Sequence, residues 1–160
     1  MSINVRLIDY TDTSDASDLI HLLSSYALDP MGGGDALPDF VKQNLADSLA
    51  KLPHAFSLIC YVDGKPAALS NCFEAFSTFS CAPLINIHDI IVLSEFRGLG
   101  LSQKLLTKIE EIATNKNCCK ITLEVLSANK IAQKSYEKFG FAPYSLDPEA
   151  GQALFWQKKL

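Results

Sequence analysis

Apolar residues recur along the chain at two spacings, and these predict strands alternating with helices. Residues 3–8 alternate between apolar and polar side chains, which is typical of a half-buried strand. The polar cluster 12–17 then opens a stretch with apolar residues at helical spacing. We expect this helix to end before Asp29-Pro30, because the residue ahead of a proline avoids helical geometry.

The rest of the chain continues the alternation through a hairpin signal at Asp63-Gly64. The further elements that the spacing predicts are a helix from Pro38 to Pro53, strands over 56–62, 65–78 and 84–93, a helix over 102–115, a strand over 120–125, a helix over 127–139, a short strand from Phe141, a turn at Asp147-Pro148 and a last strand over 153–158. This order predicts one α/β domain over residues 1–160, with a mixed sheet of about seven strands and about four helices.

Composition narrows the class of protein. The 160 residues are 48% hydrophobic and 20% charged, as in an ordinary globular domain, and the net charge is -4. No block of Lys and Arg indicates a nucleic-acid surface. No apolar run reaches membrane-spanning length, and the first residues lack the apolar core of a signal peptide. We therefore expect a soluble cytoplasmic protein with neither nucleic acid nor membrane as a partner.

Five cysteines are an odd number, and none of them forms a Cys-x-x-Cys pair. We expect buried, reduced thiols, as is usual in a cytoplasmic protein. The chain has only three histidines, so neither a structural zinc site nor a catalytic cysteine is expected. No metal is predicted.

A strand, a glycine turn and a helix meet between residues 89 and 106. The turn reads Arg97-Gly98-Leu99-Gly100-Leu101-Ser102-Gln103. Glycines allow close backbone approach, and the first turn of a helix offers unpaired N–H groups, so this arrangement suits an anion such as phosphate. It is neither a P-loop nor a dinucleotide fingerprint, because Gly-Lys-Ser/Thr is missing and Gln103 stands where the third glycine would be. On these residues alone, an ordinary strand-to-helix turn with a surface arginine explains the pattern nearly as well.

Three other features interrupt the apolar pattern. His88-Asp89 lies between apolar neighbours on a strand, where adjacent side chains point to opposite faces, so we expect at least one to be buried or in a site. Glu74 either faces water or faces a polar pocket. The run Met31-Gly32-Gly33-Gly34 is either a flexible connection or a mobile loop near an acceptor.

Two motifs carry a resemblance to a known family. Arg97-x-x-Gly100-x-Ser102 resembles the Arg/Gln-x-x-Gly-x-Gly/Ala signature of the GNAT superfamily of N-acetyltransferases, with Ser102 where the family usually has Gly or Ala. Downstream, Asn129-x-x-Ala132-x-x-x-Tyr136, followed by Gly140-Phe141, resembles the other half of the same cofactor site. Together the motifs cover residues 85–141.

The resemblance implies a GNAT fold, in which acetyl-CoA lies in the V between two parallel strands of a splayed sheet. It implies that Ile90, Ile91 and Val92 hold the pantetheine and acetyl group, with the pyrophosphate in the turn 97–103. It places Asn129 and Ala132 beside the cofactor and Tyr136 at its sulfur. The activity implied is N-acetylation of a primary amine by direct attack, in a protein that is a homodimer.

Such a reaction requires a neutral amine. With a reference pKa near 10.4, only about one molecule in a thousand is neutral at pH 7, a barrier of about 4–5 kcal/mol unless a base helps. The candidate bases are His88, Asp89 and Glu74, acting directly or through a water. Tyr136 is expected mainly to stabilise the leaving thiolate by a hydrogen bond, and the serine hydroxyl of Ser102 is expected to cap its helix.

A finer resemblance is to the diamine N-acetyltransferases of the spermidine/spermine and thialysine type. It rests on Asp89 leading into 90–92, on Cys118-Cys119 and on the ending 147–151. His88 departs from it, because those enzymes carry an acid there. The acceptor is thus a small amine, such as a polyamine or amino acid. The alternatives are a protein N-terminus or lysine, or a non-catalytic acyl-CoA-binding module.

Overall fold

The computed structural model describes residues 1–144, 147, 149, 151 and 153–160. Five strands form one sheet, and helices cover both of its faces. The elements in chain order are β1 (Ile3–Leu7), α1 (Thr13–Leu28), α2 (Asp39–Ala50), β2 (Ala55–Val62), β3 (Lys65–Ser77), β4 (Ala82–Val92), a 3-10 turn (Ser94–Phe96), α3 (Leu101–Asn115), β5 (Ile121–Leu123) and α4 (Lys130–Phe139).

The sheet is mixed, which confirms the predicted α/β class. Its strand order is β1-β2-β3-β4-β5, with antiparallel pairs up to β4 and a parallel pair between β4 and β5. The parallel pairing runs only from Ile85–Ile121 to Ile87–Leu123, whereas β4 continues to Val92. The two strands therefore separate beyond Ile87, and this is the splay that the family resemblance implies.

The strand count is lower than the predicted seven. Within the described residues, 141–144 and 153–160 form no strand, and Leu154, Phe155 and Trp156 are exposed. A segment with alternating apolar residues forms a strand only where it pairs with the edge of a sheet. In the described structure, no sheet edge pairs with either of these segments. The turn predicted at Asp147-Pro148 includes Pro148, which lies outside the described residues.

Two apolar cores lie on opposite faces of the sheet. On one face Leu101, Leu105 and Ile109 of α3 pack against the sheet, with Tyr136 and Phe139 of α4 at the margin. On the other face, the core is formed by α1, α2 and the sheet (Leu19, Leu22, Leu49, Ile59, Leu69, Ile91). The helical spacings are thus confirmed in α1 and α3. Phe40 of α2 and Phe76 of β3 lie outside these cores, at 75% and 59% exposure.

The first helix is attached to the first strand by charge. Asp12 caps α1 by accepting hydrogen bonds from the N–H groups of Ser14 and Asp15. Buried Asp15 forms an ion pair with Arg6 of β1 and also accepts from the Asp9 N–H at 2.9 Å. The Arg6 hydrogen bond lowers the pKa of the Asp15 carboxyl against the opposing effect of burial.

The cysteines only partly follow the prediction. All five are free thiols, but only Cys60 and Cys72 are buried, and Cys81 and Cys119 are exposed. Within the described part of the chain, no helix is both long enough and apolar enough to cross a membrane.

Candidate active site

A β-bulge at His88 shapes the centre of the site. Asn71 of β3 lies opposite Asp89 and the next residue, Cys72, lies opposite Ile87, so His88 has no partner on β3. A bulge interrupts the alternation of side chains along a strand. His88 and Asp89 accordingly line one cavity together. This corrects the expectation that adjacent residues would point to opposite faces.

The bulge also decides which backbone groups face the splay. The Leu93 N–H donates to the Ala67 carbonyl at 3.0 Å. In an antiparallel ladder, every second residue of a strand hydrogen-bonds to the neighbouring strand. Like Leu93, Ile91 therefore directs its N–H and C=O groups toward β3, whereas Ile90 and Val92 direct theirs toward the side where β5 has ended. Of the three residues predicted to hold the acyl group, Ile90 and Val92 therefore present N–H groups to the cleft, and Ile91 contributes its side chain to the opposite core.

The glycine turn has the geometry that an anion site requires. Gly98 and Gly100 have φ values of 82° and 73°, in the left-handed region, and no atom lies within 4 Å of a Cβ built on either. Gly100 is the N-cap of α3, and no side chain caps the helix. The first-turn N–H groups at Leu101, Ser102 and Gln103 are thus left for an anionic ligand such as a pyrophosphate.

Ser102 does not cap α3, contrary to the prediction. Its hydroxyl lies 3.1 Å from that of Ser135 on α4, and the Gln103 amide donates to the Ser135 carbonyl at 2.9 Å. The hydroxyl points sideways because a serine in the second position of a helix is past the cap. These bonds fix the start of α3 against α4 beside the splay.

Arg97 is engaged within the protein. Its guanidinium pairs with Asp29 at 2.9 Å and its Nε donates to the Val92 carbonyl at 3.3 Å, while the side chain remains 60% exposed. Asp29 also accepts from the Met31 N–H, and this bond and then Arg97 lower the pKa of the Asp29 carboxyl. Arg97 therefore connects the glycine turn to the segment after α1. A phosphate bound at the turn would interact with the same guanidinium group as Asp29.

Asn129 lies at the N-cap of α4, which begins at Lys130 rather than at 127. Its Oδ1 accepts from the Ala132 N–H at 3.1 Å, so only the amide Nδ2 is left to donate to a ligand. As the N-cap, Asn129 lies outside the regular turns of α4. It marks the start of the helix that carries Tyr136.

Tyr136 is half-buried and packs edge-on to Phe141, with ring centroids 6.0 Å apart. Burial, and to a smaller extent the Tyr26 phenol, raises the pKa of Tyr136 to about 12. Full proton transfer to a thiolate of reference pKa near 8.5 would be uphill by about 5 kcal/mol. The side chain is therefore a neutral hydrogen-bond donor at every physiological pH.

A cavity of about 370 Å³ lies between α1, α2, β3 and the bulge. His88 and Asp89 form part of its wall, and the His88 ring meets Phe73 edge-on at 5.7 Å between centroids. Tyr26 of α1 also lines it. Burial first, and then the charge of Asp89, raises the pKa of Tyr26, which also influences Tyr136. Tyr26 thus lies between the cavity and the cofactor cleft.

A directed chain of hydrogen bonds ends on Asp89. The Tyr10 hydroxyl lies 2.8 Å from that of Ser57, which donates to the Asn71 Oδ1 at 2.6 Å. The Asn71 amide then donates to the Asp89 carboxylate at 2.9 Å. Ser57 and Asn71 are buried. This chain of hydrogen bonds fixes the position of the Asp89 side chain at the wall of the cavity.

Glu74 is not part of this site, contrary to the prediction. Its carboxylate pairs with Lys116, at the C-terminal end of α3, at 2.8 Å. Asn71 and Phe73 line the cavity, and alternation along β3 turns Glu74 to the opposite face. The catalytic candidates that the structure brings together are His88 and Asp89, whereas Tyr136 lies on α4 at the margin of the core on the α3 side of the sheet.

The triple-glycine segment borders the cavity. A Cβ on Gly32 would lie 2.0 Å from the Tyr26 carbonyl oxygen, so only glycine allows the segment to approach the end of α1 so closely. Gly32 also lines the cavity. Of the two interpretations left open, the structure supports a loop beside the candidate acceptor site.

A second cavity, of about 280 Å³, lies at the far end of α3 and is lined in part by Cys118 and Cys119. None of the candidate site residues borders it. The cysteine pair is therefore remote from the site built by His88 and Asp89.

Sequence reasoning missed Tyr10, Tyr26, Ser57 and Asn71. One signal was present, since Ser70-Asn71 interrupts an apolar strand. Nothing in the sequence around Tyr10, Tyr26 and Ser57 distinguishes them as site residues. Pairing of β2, β3 and β4 brings Ser57 and Asn71 next to Asp89, whereas Tyr10 and Tyr26 come from the segment before α1 and from α1 itself.

Comparison with known proteins agrees with this geometry. Residues 20–141 match the model of a family described as "Acetyltransferase (GNAT) family". Thialysine N-epsilon-acetyltransferase from Bos taurus is 39% identical over 56 residues, a match that covers 35% of this chain and 33% of that protein. The chain thus aligns with about a third of the length of this curated relative.

Solved structures share the fold. A ribosomal-protein-alanine N-acetyltransferase from Brucella melitensis biovar Abortus 2308 superposes with a TM-score of 0.75 at 20% identity, over 91% of this chain and 96% of that one. The enzyme AAC(6')-Iy, solved with a CoA-containing bisubstrate analogue, superposes with a TM-score of 0.77 at 18% identity, over the whole of both chains. At these identities the likeness concerns the fold.

Proposed function

Since the chain belongs to the GNAT family of acetyltransferases, we propose that it transfers the acetyl group of acetyl-CoA to a primary amine of a small molecule. The observation that carries this proposal is the bulge at His88. His88 and Asp89 line the cavity, and β4 is no longer paired with β5 beyond Ile87, so an amine in the cavity would lie next to an acyl group in the splay. A structural relative holds a CoA derivative, which supports acetyl-CoA as the donor.

The donor site uses the residues that present unpaired N–H groups. The first turn of α3 and Gly98 to Gly100 would hold the pyrophosphate, with Arg97 contributing charge. The N–H groups of Ile90 and Val92 would hold the pantetheine and polarise the thioester carbonyl. The amide Nδ2 of Asn129 is free to donate to the pantetheine, and Ala132 leaves space beside it.

The acceptor enters as a cation and reacts as a neutral amine. Asp89, held in position by Asn71, attracts the ammonium group, and His88 takes one proton directly or through a water. The amine nitrogen then forms a bond to the acyl carbon, and the carbon–sulfur bond breaks. Tyr136 donates a hydrogen bond to the departing thiolate, and the second proton lost from the nitrogen as the amide forms balances the proton that the thiolate takes up when CoA is released.

The small volume and apolar walls of the cavity support a small acceptor rather than a peptide. We retain as proposals that the protein is cytoplasmic and homodimeric. Acetylation of a protein N-terminus and non-catalytic binding of acyl-CoA are the competing functions.

The test is release of free CoA thiol from acetyl-CoA, measured across a panel of primary amines and one N-terminal peptide. Amide formation with a small amine, lost in Asp89→Asn, is expected. Turnover with the peptide alone would favour the protein substrate. Tight acetyl-CoA binding without turnover on any amine would leave only the binding function.

A further inference from the structure

The candidate acceptor cavity has one charged end and otherwise apolar walls. At the charged end lies Asp89, with Asn71 and His88 beside it. Opposite, Val41, Leu45 and Leu49 line the cavity from α2 at a spacing of four residues, which places them on one face of that helix. Phe73 of β3 closes the side between them.

Among the residues that the structure describes around the cavity, Asp89 is the one carboxylate. Asp29 and Glu74 do not supply a second negative charge to the cavity, because both are engaged elsewhere. Asp29 is paired with Arg97, and Glu74 is paired with Lys116 on the other side of the sheet. A second ammonium group in the cavity would thus face the α2 side chains without a partner.

An unpaired charge in apolar surroundings is strongly disfavoured, whereas an alkyl or aromatic body there gains from leaving water. We propose that the acceptor is a primary amine with a single positive charge on an apolar body, and not a polyamine. The volume of about 370 Å³ is near the lower end of the range for ligand sites, about 300–1,000 Å³, so this body is small. The inference rests on the proposed function.

The most direct test compares two amines that differ only at the distal end, hexylamine and 1,6-diaminohexane. With acetyl-CoA and the full chain, kcat/KM is expected to be at least about tenfold higher for hexylamine. Equal values, or a preference for the diamine, would overturn the inference and leave the proposed function standing. If neither these amines nor any other in the panel released CoA, the proposed function itself would fail.

A second test introduces a negative charge into the protein, where a second ammonium group of the acceptor would lie. Val41→Glu places a carboxylate on the cavity-lining face of α2, and Gln43→Glu adds the same charge on its exposed face. In Val41→Glu the preference for hexylamine is expected to shift toward the diamine by at least about tenfold, and in Gln43→Glu it is expected to stay unchanged. A folded Val41→Glu protein with the original preference would contradict the inference. Should that variant not fold, the comparison in the unaltered protein still decides.

Discussion

At the scale of single residues, the chemistry of the site depends on where each polar atom is already engaged. Asp89 accepts from Asn71, Asn129 uses its oxygen to cap α4, and Arg97 is paired with Asp29. Tyr136 differs, because the described structure shows burial and aromatic packing around it rather than a hydrogen bond. Its hydroxyl is therefore the group best able to donate to a leaving thiolate.

Tyr136→Phe tests this role. Loss of one hydrogen bond to a charged group in the transition state costs about 1.5–3 kcal/mol, so kcat at saturating amine should fall about ten- to hundredfold. Turnover is measured by release of CoA thiol, with Tyr144→Phe, which alters an exposed tyrosine, as the control. A kcat within about twofold of the unaltered protein would show that Tyr136 has no part in the leaving-group step.

At the scale of elements, short contacts decide how α1 and the segment after it are held. The Arg6–Asp15 pair attaches the start of α1 to β1, and Gly32 packs on the carbonyl of Tyr26 at its other end. The start of α1 is thus fixed to the sheet, and the segment after α1 is held against the end of the helix. The cavity beside Asp89 depends on this placement, because α1 forms one of its walls.

Gly32→Ala should disturb the cavity without disturbing the cofactor turn. Its Cβ would lie 2.0 Å from the Tyr26 carbonyl oxygen, so the loop must move away. We expect KM for the amine to rise about tenfold, with the Kd for acetyl-CoA unchanged within about twofold. Gly34→Asn is the matched control, since that position is open and has a φ of 81°, which asparagine tolerates. An unchanged KM in Gly32→Ala would mean that the loop does not shape the acceptor site.

Asp15→Asn should destabilise the fold in a pH-dependent way. Arg6 lowers the pKa of Asp15 in the folded protein, so the pair contributes stability above the unfolded pKa, near 3.9, and loses it as pH falls through the folded value. At pH 7 the free energy of unfolding should drop by about 2 kcal/mol, less than for a fully buried pair because Arg6 is partly exposed.

Urea denaturation at pH 7 and near pH 3 measures this difference. The exposed pair of Asp39 and Lys42 provides the control, and Asp39→Asn should change stability by less than about 0.5 kcal/mol. A loss in Asp15→Asn that is equally large near pH 3 would show that the charge of Asp15 is not its cause.

At the scale of the whole molecule, the glycine turn and the cavity beside Asp89 are connected through the segment after α1. The cofactor turn is joined to the segment after α1 by Arg97 and Asp29, and that segment borders the acceptor cavity through Gly32. We expect phosphate binding at Arg97 to be coupled to the Arg97–Asp29 pair, because the two anions would compete for one guanidinium group.

Asp29→Asn tests the coupling. Removing the carboxylate frees Arg97 for the pyrophosphate, so the Kd for acetyl-CoA, measured by calorimetry at low salt, should fall about two- to fivefold, as expected for an exposed pair worth about 0.4–1 kcal/mol. Asp39→Asn removes the same charge from an exposed site on α2 and should leave the Kd unchanged. Weaker binding in Asp29→Asn would indicate that Asp29 positions Arg97 for the ligand instead of competing with it.

Local sequence was sufficient for most of the elements and for the glycine turn before α3. The helical spacing of Leu105, Leu106 and Ile109 predicted α3, and the glycines of 98–100 predicted the turn before it, because both depend on neighbours within a few residues. The α/β class followed from the order of these elements. The two strands predicted from Phe141 and over 153–158 were wrong, because whether a segment pairs with the edge of a sheet depends on residues far away in the chain.

Tertiary structure alone decided the acceptor half. A bulge arises from the register of two strands far apart in the chain, so sequence could not show that His88 and Asp89 share a cavity, or that Glu74 is turned away to Lys116. The partners of Asp89 come from three separate elements, and the apolar wall opposite comes from α2. Residue types determined how acetyl-CoA can be held, and the packing of α1 and α2 on the sheet determined which amine can meet it.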